Sequence, residues 1–349
     1  MKQNMSKILV VRNDKLGDFM LALPAYCLLK TALPDSVIHA LVPQYTLDMA
    51  TASSCIDDVI IDPGAGAGIK QQLMLLKEIR KQRYDAVITL FSTGRTGFTL
   101  WLSRIPLRLA PATKLAQVFY NYRLKQKRSR SEKPEYEYNQ DLIRHYLELI
   151  NKSTSITTSP PYLSFPQKEV QQLRDIFCSR YSINPDHTLF FIHPGSGGSA
   201  VNLSIQQYAT LANEVLTCGD TINTDTTVVI SAGPGEEQYA QQLASLLPKT
   251  MHHVVYQSTQ GLLNFAKHIA FADVFISGST GPLHIAGALD RPTAAFYPRR
   301  RSATSLRWQT LNSENKRLAF SPGTDAKNED MQSIDIKKVA LEIKKSLLN

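Results

Sequence analysis

An aspartate, Asp18, stands directly after a glycine at the turn between two apolar segments. The first segment, residues 8–11, is a continuous apolar run that predicts a buried strand, and the second has the apolar periodicity of a helix. A carboxylate at such a turn can cap the helix by accepting hydrogen bonds from its free N–H groups. It can also face the crevice at the carboxyl end of a parallel strand, where open α/β sheets bind ligands. The stretch by itself leaves both interpretations open.

A loop rich in small residues, "HPGSGG" at residues 193–198, follows a predicted strand in the second half of the chain. Small residues let the backbone approach an anion closely, and their exposed N–H groups can surround a phosphate. The loop is not a Walker loop, because no Gly-Lys-Ser or Gly-Lys-Thr follows it. It is a candidate phosphate site, with a plain glycine turn as the alternative. Its candidate contacts are His193, Gly195, Ser196 and Gly197.

Glu236 lies in a second loop, "SAGPGEE" at residues 231–237, which also follows a predicted strand. A carboxylate just past a strand and a glycine turn can accept both hydroxyls of a ribose, as acidic residues do in dinucleotide-binding folds. The alternative is an acid in the first turn of a helix, where the helix dipole favours negative charge.

The third loop, "SGSTGPLHIAGAL" at residues 277–289, leads from a strand into a helix. Ser279 and Thr280 precede the helix, whose free N–H groups would point at a ligand such as a phosphate. His284 lies one turn into the helix, on the same face as Thr280. A histidine on a helix is more often structural, but this one points towards the loop and is a candidate ligand contact.

The positive charge of the chain is concentrated in one segment. Of the net charge of +9, residues 101–133 carry +8, because nine basic side chains stand there against a single acid. Such a patch predicts an anionic partner: a phosphorylated substrate, an acidic lipid surface or a nucleic acid. No nucleic-acid-binding signature accompanies it, and a solvated loop without a partner is the alternative. The basic residues are Arg104, Arg108, Lys114, Arg123, Lys125, Lys127, Arg128, Arg130 and Lys133.

Strand and helix patterns alternate along nearly the whole chain, which predicts an α/β protein with parallel sheets covered by helices. A stretch rich in Ser, Thr and Pro, residues 153–166, is the predicted linker between two domains. We expect Rossmann-like domains at residues 1–160 and 161–333, with their parallel sheets facing a central cleft. The last helix, within residues 334–349, has no strand after it and is expected to pack back on the N-terminal domain.

The four cysteines are scattered without a paired spacing, which predicts neither a zinc site nor a disulfide framework. No apolar run approaches the length that spans a bilayer, and the first residues lack the apolar core of a signal peptide. These features predict a cytoplasmic protein.

Four stretches in register resemble glycosyltransferase family 9, the ADP-heptose:lipopolysaccharide heptosyltransferases. They are the segment around Asp18, "FIHPGSGG", "AGPGEE" and "ISGSTGPLHIAGALDRPTAAFYP", and the likeness covers about residues 7–335. The resemblance implies the GT-B fold, with the acceptor bound by the N-terminal domain and the nucleotide sugar by the C-terminal domain. It also implies an inverting transfer without a metal or cofactor, in which Asp18 is the catalytic base.

Further contacts and partners are expected from the same resemblance. The donor-binding set also includes Gly281 and Gln260. The acceptor is expected to be an anionic glycolipid, Kdo-lipid A or a core oligosaccharide, at the cytoplasmic face of the inner membrane, and no nucleic acid is expected as a partner. The expected acceptor-binding residues are Arg95, Lys125, Lys127, Arg128 and Arg130.

Two positions depart from the motifs of the family. The family follows its HPG loop with Lys-x-Trp, where this chain has "VNL" at residues 201–203, and Ser279 replaces an aspartate that contacts the heptose. A carboxylate accepts stronger, charge-assisted hydrogen bonds from sugar hydroxyls than a serine does. We therefore expect a donor other than ADP-heptose, such as a UDP- or GDP-hexose. The alternative functions are a GT-B sugar-nucleotide epimerase and a relative that binds a glycan or nucleotide without catalysis.

Overall fold

The structure, a computed structural model, describes residues 6–113, 115–198, 201–218, 221–222 and 225–348. The described residues form two compact units, of which the first ends at Tyr162 and the second begins at Leu163. Each unit is built on a six-stranded parallel sheet. In the part of the chain that the structure describes, no helix combines the length and the apolar composition needed to cross a bilayer.

The sheet of the first unit has β1 at its centre, between β2 and β4. The strand order is β3-β2-β1-β4-β5-β6. Ile8, Leu9, Val10 and Val11 are fully buried, as the continuous apolar run of a central parallel strand predicts. The strands are β1 (Lys7–Val11), β2 (Val37–Pro43), β3 (Asp58–Asp62), β4 (Ala86–Thr89), β5 (Leu107–Pro111) and β6 (Tyr122–Leu124).

The helices of the first unit connect these strands, and the last of them, α6, packs against α2. Tyr138, Leu142 and Tyr146 recur every fourth residue of α6 and are buried, which gives the helix one apolar face. Short 3-10 helices lie at Gln44–Thr46, Leu115–Phe119 and Arg128–Arg130. The α-helices are α1 (Leu16–Met20), α2 (Leu23–Ala32), α3 (Leu47–Thr51), α4 (Ile69–Gln82), α5 (Gly94–Leu102) and α6 (Glu135–Leu149).

The sheet of the second unit has β7 at its centre, and its strand order is β11-β10-β7-β12-β13-β14. Two further strands, β8 and β9, form a small antiparallel pair of their own. The strands are β7 (Thr188–His193), β8 (Thr217–Cys218), β9 (Thr221–Ile222), β10 (Thr226–Ala232), β11 (His253–Gln257), β12 (Val274–Gly278), β13 (Thr293–Phe296) and β14 (Arg317–Phe320). The helices are α7 (Gln167–Arg180), α8 (Ile205–Leu216), α9 (Glu237–Leu246), α10 (Leu262–Ile269), α11 (Gly281–Ala288) and α12 (Ile336–Leu347).

The last helix, α12, packs within the second unit, which corrects the expectation that it lies on the N-terminal domain. Its apolar residues Ile336, Val339, Ala340 and Ile343 are buried and join the core of the second unit, against α8. The spacing of these residues predicts an apolar face but does not identify the surface that the face covers.

Both sheets have the same strand order. Numbered from the first main strand of each unit, both read 3-2-1-4-5-6, the doubly wound order. The connections leave the first strand in opposite directions on its two sides, so a crevice opens beyond its carboxyl end. These first strands are β1 and β7, so the segments after Val11 and after His193 occupy equivalent ligand-binding positions.

Cys27 and Cys55 form a disulfide, which corrects the expectation of unpaired cysteines. Cys27 lies in α2 and Cys55 follows α3, and their Cα atoms are 5.0 Å apart. No local pattern in the sequence predicts this pair. The two cysteines are separated by β2 and α3, and only the folding of these elements brings Cys55 next to α2. Cys178 is buried in α7 as a small apolar side chain.

Candidate functional site

Arg12 is the centre of a buried charged cluster directly after β1. Its guanidinium donates to Asp14 through Nε at 2.7 Å, to Asp18 through Nη2 at 2.5 Å and to Glu135 through Nη1 at 3.0 Å. Nη1 also donates to the side-chain oxygen of Asn139 at 3.1 Å. Glu135 and Asn139 belong to α6, so the last helix of the unit and the loop after β1 hold the same arginine. We call these five residues the Arg12 cluster.

Asp18 lies in the first turn of α1 but does not cap the helix. The N-cap residue is Lys15, and the carboxylate of Asp18 accepts its hydrogen bond from Arg12 instead. The side chain of Asp18 is only 15% exposed. Of the two sequence interpretations, the structure therefore excludes the N-cap, and the catalytic role of Asp18 stays a prediction.

The surroundings of Asp18 make its carboxylate more basic than that of a solvated aspartate. Burial raises the pKa of Asp18 to about 6, Arg12 opposes this rise, and Asp14 and Glu135 add to it. Burial alone would lower the pKa of Arg12, but the three carboxylates hold it above its ordinary value. The cluster thus combines a permanently charged arginine with a carboxylate whose basicity suits proton transfer near neutral pH.

Arg95, a predicted acceptor contact, is part of the support of the loop after β1. It donates to the buried carboxylate of Asp62 at 2.6 Å, and Asp62 also accepts from the side chain of Asn13. Burial would raise the pKa of Asp62, but these two hydrogen bonds hold it below its ordinary value. Asn13 donates as well to the hydroxyl of Thr96, at 3.2 Å. The guanidinium of Arg95 therefore already has a structural ion pair.

In the second unit, Glu236 holds the HPGSGG loop. Its carboxylate accepts the N–H of Gly197 at 2.9 Å and that of Gly233 at 3.0 Å, and Nε2 of His193 lies 3.3 Å away. Gly195 is required beside it, because a Cβ there would collide with the carboxyl group of Glu236. Glu236 thus anchors one loop to the other, a role that the ribose interpretation did not include.

His193 ties together the ends of three strands. Its Nδ1 lies 3.1 Å from the hydroxyl of Ser231 on β10, and its carbonyl accepts from the hydroxyl of Ser277 on β12 at 3.0 Å. The hydroxyl of Ser277 lies 3.0 Å from that of Thr280, at the start of α11. Burial lowers the pKa of His193. The structure therefore brings the three predicted donor loops together at one edge of the sheet.

The third loop places a neutral histidine at the start of α11. Thr280 is the N-cap residue and Gly281 begins the helix, while burial lowers the pKa of His284 to about 4. Among the described residues, none is found to hydrogen-bond Nδ1 of His284. Ser279 is half-buried in the same loop, and Gln260 is exposed just before α10. The third loop thus offers polar groups with little fixed charge.

In the "VNL" stretch, Val201 stands where the resembled family has a lysine, and the next residue, Asn202, holds the loop through its amide. Asn202 donates to the carbonyl of Pro194 at 3.0 Å and accepts from the hydroxyl of Tyr208 at 2.5 Å. At Gly278 a Cβ would lie 2.6 Å from the amide oxygen of Asn202. Asn202 therefore links the HPGSGG loop to the end of β12 without adding charge.

Some basic side chains of residues 101–133 are anchored within the first unit. Arg128 donates to Glu135 at 2.7 Å, and its guanidinium lies 5.7 Å from the centre of the Tyr138 ring. Lys133 forms an ion pair with Asp141. Arg128, one of the predicted acceptor contacts, thus binds Glu135 of the Arg12 cluster.

Other basic side chains of this segment face solvent. Lys125 and Lys127 are exposed, and Arg130 is exposed with an ion pair of 3.5 Å to Glu132. These three predicted acceptor contacts present their charge at the surface. Lys114 lies outside the described residues.

The sequence reasoning missed Arg12, Glu135, Asn139 and Asn202. A signal existed for Arg12, since a charged residue that ends a buried apolar strand needs a compensating partner. No local signal marks the partner, because Glu135 is 123 positions away in the sequence.

The sequence model for "Glycosyltransferase family 9 (heptosyltransferase)" matches residues 72–333. The chain belongs to this family. A "Putative glycosyltransferase" of Haemophilus influenzae is 43% identical over 340 residues, which are 97% of this chain and 96% of that protein. The solved structure of the family 9 glycosyl transferase from Veillonella parvula covers 100% of this chain and 99% of its own, with TM-score 0.80 and 16% identity. The structure of E. coli ADP-heptose lps heptosyltransferase II covers 98% of each chain, with TM-score 0.78 and 18% identity.

These comparisons confirm the family, the enzyme class and the GT-B fold that the sequence motifs predicted. The protein is a glycosyltransferase of family 9. The likeness to the solved structures shows the fold alone, because their sequence identity to this chain is 16% and 18%.

Proposed function

We propose that this family 9 enzyme is an inverting glycosyltransferase that moves a sugar from a nucleotide-sugar donor to a lipopolysaccharide or lipooligosaccharide inner-core acceptor. The observation that carries the proposal is the Asp18 carboxylate after β1, held by Arg12 and with its pKa raised to about 6. An inverting transfer needs a base for the acceptor hydroxyl, and a buried carboxylate of raised basicity is suited to that task. The substrate classes are taken from the E. coli relative, which is named an ADP-heptose lps heptosyltransferase.

In the proposed reaction Asp18 takes the proton of the acceptor hydroxyl. At the same time the oxygen of that hydroxyl forms a bond to the anomeric carbon of the donor sugar. The bond between that carbon and the diphosphate breaks, and its electron pair leaves with the nucleoside diphosphate. Arg12 stays paired with Asp14 and Glu135 after Asp18 has become neutral, so the proton transfer leaves no buried guanidinium without a partner.

The donor is assigned to the second unit. The small residues of the HPGSGG loop let the diphosphate approach the backbone, and the N–H groups at the start of α11 stabilise its charge. Glu236 keeps acceptor capacity for ribose hydroxyls, because each carboxylate oxygen can accept more than one hydrogen bond. Ser279 and Gln260 are the proposed sugar-side contacts. The remaining proposed contacts are His193, Gly195, Ser196, Gly197, Thr280, Gly281 and His284.

The acceptor is assigned to the first unit. Lys125, Lys127 and Arg130 present positive charge that suits the phosphates of lipid A, the carboxylates of Kdo and an anionic membrane surface. Arg95 and Arg128 are proposed acceptor contacts as well, and each is held in place by an ion pair with a buried carboxylate.

The transfer is proposed to need no metal. The three carboxylates of the Arg12 cluster converge on a guanidinium, which already supplies the compensating charge. Within the described residues, no group of three or more His, Cys, Asp or Glu side chains is arranged to hold a metal ion. Activity that is unchanged by a chelator would support this part of the proposal.

A donor comparison tests the proposed function. The full chain is incubated with Kdo-lipid A and, in turn, ADP-heptose, UDP-hexoses and GDP-hexoses, and the anomeric configuration of the product is determined by NMR. We expect inversion and transfer from a hexose donor, because Ser279 replaces an aspartate and Val201 replaces a lysine of the family motif, which leaves the site less charged. Efficient transfer from ADP-heptose alone would contradict the donor assignment, and a retained configuration would contradict the role of Asp18. Isomerisation of the donor without an acceptor, or binding without turnover, would favour the alternative functions.

A further inference from the structure

Large apolar side chains stand exposed on one surface of the first unit. Phe98 and Trp101 on α5 are 48% and 49% exposed, and Leu115 and Val118 on the following 3-10 helix are 87% and 67% exposed. Phe119 packs against both aromatic rings, at centroid distances of 5.8 Å to Phe98 and 6.3 Å to Trp101. We call these five residues the apolar patch. A contiguous patch of this kind on a protein surface marks an interaction site.

The structure holds the apolar patch in a fixed shape. Gly97 lets α5 approach the 3-10 helix, because a Cβ there would lie 2.9 Å from the ring of Phe119. Tyr120, next to Phe119, is buried, and its hydroxyl lies 2.8 Å from that of Ser92. The patch is therefore preformed, and its apolar side chains need no rearrangement to become accessible.

Exposed cations flank the apolar patch on both sides in the sequence. Arg104 comes just after α5, and Arg123 follows the 3-10 helix on β6, the edge strand of the sheet. Lys125 and Lys127 continue this row of exposed basic residues. The only acid in residues 101–133 is Glu132, so the segment that carries most of the patch is strongly positive.

We propose that the apolar patch inserts into the interfacial region of an anionic lipid bilayer while the flanking cations bind its head groups. Trp and Phe side chains are typical of membrane–water interfaces, and basic residues add attraction to anionic lipids. A second copy of this chain is the less suitable occupant. In a twofold interface the same patch meets itself, so the positive flanks of the two copies would repel each other.

This inference deepens the proposed association with a membrane surface and rests on it for the choice of partner. The basic segment accounts for attraction to the surface, whereas the patch accounts for the depth of insertion. Its test uses neither donor nor acceptor, so its failure is distinguishable from a failure of the proposed glycosyl transfer.

The chain provides its own reporter of insertion, because it contains only two tryptophans, Trp101 and Trp308. Trp308→Phe leaves Trp101 in the patch as the only indole. We expect its fluorescence to shift to the blue and to be quenched by brominated lipid when vesicles of phosphatidylglycerol and phosphatidylethanolamine are added. The control is Trp101→Phe, in which Trp308 of the second unit should show neither change. Binding to vesicles with no shift of Trp101 emission would overturn the proposal, because charge alone would then explain the binding.

A second measurement does not depend on the tryptophan variants. Leu115→Ser/Val118→Ser should weaken co-sedimentation with the same vesicles by roughly tenfold or more, since the two side chains lose apolar area for burial. The matched control is Ile176→Ser/Leu341→Ser, which changes two side chains of similar exposure, 63% and 68%, in the second unit. Equal loss in both double variants would overturn the proposal. A blue shift of Trp101 that follows protein concentration without vesicles would overturn it in favour of self-association.

Discussion

The loops after β1 and after β7 occupy the same position in two sheets of the same strand order, yet their chemistry is opposite. At the first loop, three carboxylates surround one arginine, and one of them comes from α6. The second loop has small residues and follows a buried histidine whose pKa is lowered. The carboxylate beside it, Glu236 of the loop after β10, accepts backbone N–H groups. In a doubly wound sheet the end of the central strand is where ligands bind, whereas the residues placed there decide the chemistry.

Burial acts on both units in the same sense, because it favours the neutral form of every titratable group. It raises the pKa of Asp18 to about 6 and lowers that of His284 to about 4. In the first unit this makes a better base, and in the second it keeps an imidazole neutral beside the place proposed for a diphosphate. The comparison agrees with the proposal that the first unit transfers the proton and the second stabilises charge by dipoles.

The largest effect is expected at Asp18. Asp18→Asn keeps the shape of the side chain but cannot take a proton, so kcat should fall by ~10²–10⁴-fold while the Kd for a nucleoside diphosphate is unchanged. Asp14→Asn is the matched control, since Asp14 also accepts from Arg12 and is equally exposed, at 15%. We expect a clearly smaller loss there. Equal losses would assign the effect to the charge of the Arg12 cluster as a whole.

The pH dependence should follow the same carboxylate. Below pH about 6, kcat/KM should fall about tenfold per pH unit, because a protonated Asp18 cannot accept the proton of the acceptor.

The raised pKa of Asp18 also affects stability. Asp18 favours the folded state at low pH, and this contribution is lost as pH rises to about 6. Asp18→Asn should therefore gain melting temperature relative to the wild type as pH rises through this window. A pH–rate profile that stays flat well below pH 6 would contradict both expectations.

A smaller effect is expected at Glu135. Glu135→Gln removes a carboxylate that raises the pKa of Asp18, so the acid limb of the pH–rate profile should move to lower pH. The free energy of unfolding should fall by about 1.5–3 kcal/mol, because charged hydrogen bonds to Arg12 and Arg128 are lost. Glu132→Gln is the control, an exposed acid of the same unit. Lower stability without a shift of the acid limb would leave Glu135 a structural role only.

The second unit should respond in binding rather than in proton transfer. Gly195→Ala forces a Cβ against the carboxylate of Glu236, and overpacking of this kind costs about 1–3 kcal/mol. We expect the Kd for a nucleoside diphosphate, measured by calorimetry, to rise roughly tenfold or more, with the pH–rate profile unchanged. Gly323→Ala is the control, because a Cβ there meets nothing within 4 Å. A shifted pH profile in Gly195→Ala would break the division of work between the two loops.

The smallest effect is expected at the exposed lysines of the first unit. Lys125→Ser should raise KM for a lipid acceptor about fivefold with little change in kcat, since one cation near an anionic surface is worth ~1 kcal/mol. The control Lys168→Ser removes the same charge from an exposed position in the second unit. The same rise in KM in both variants would reduce the effect to net charge.

The sequence predicted well whatever depends on neighbouring residues. The buried runs of β1 and β7 and the glycine-rich loop after β7 are local patterns, so the doubly wound sheets and the loops proposed for the donor could be expected. The position of Asp18 after a strand and a glycine was visible too. The sequence did not show whether Asp18 caps the helix or faces the crevice, because that depends on which group its carboxylate contacts.

What the sequence did not show are the contacts between distant segments. The pairing of Arg12 with Glu135 and that of Cys27 with Cys55 depend on how the chain returns to itself in three dimensions. The docking of α12 on α8 has the same cause: periodicity reveals an apolar face, but several surfaces could cover it. Arg95 and Arg128 likewise form ion pairs with buried carboxylates, whereas Lys125 and Lys127 are exposed. The sequence shows all four only as basic residues.

The distance in sequence between Arg12 and Glu135 also sets an order of events during synthesis. A ribosome makes the candidate base near the start of the chain, but the helix that completes its surroundings follows 123 residues after Arg12. Until α6 has emerged and docked, Arg12 lacks Glu135 and Asn139, two of the four side chains that hold it. A nascent or truncated first unit therefore carries the carboxylate without the environment that raises its basicity. If Asp18 is the base, a first unit that lacks α6 should therefore not yet hold a working one.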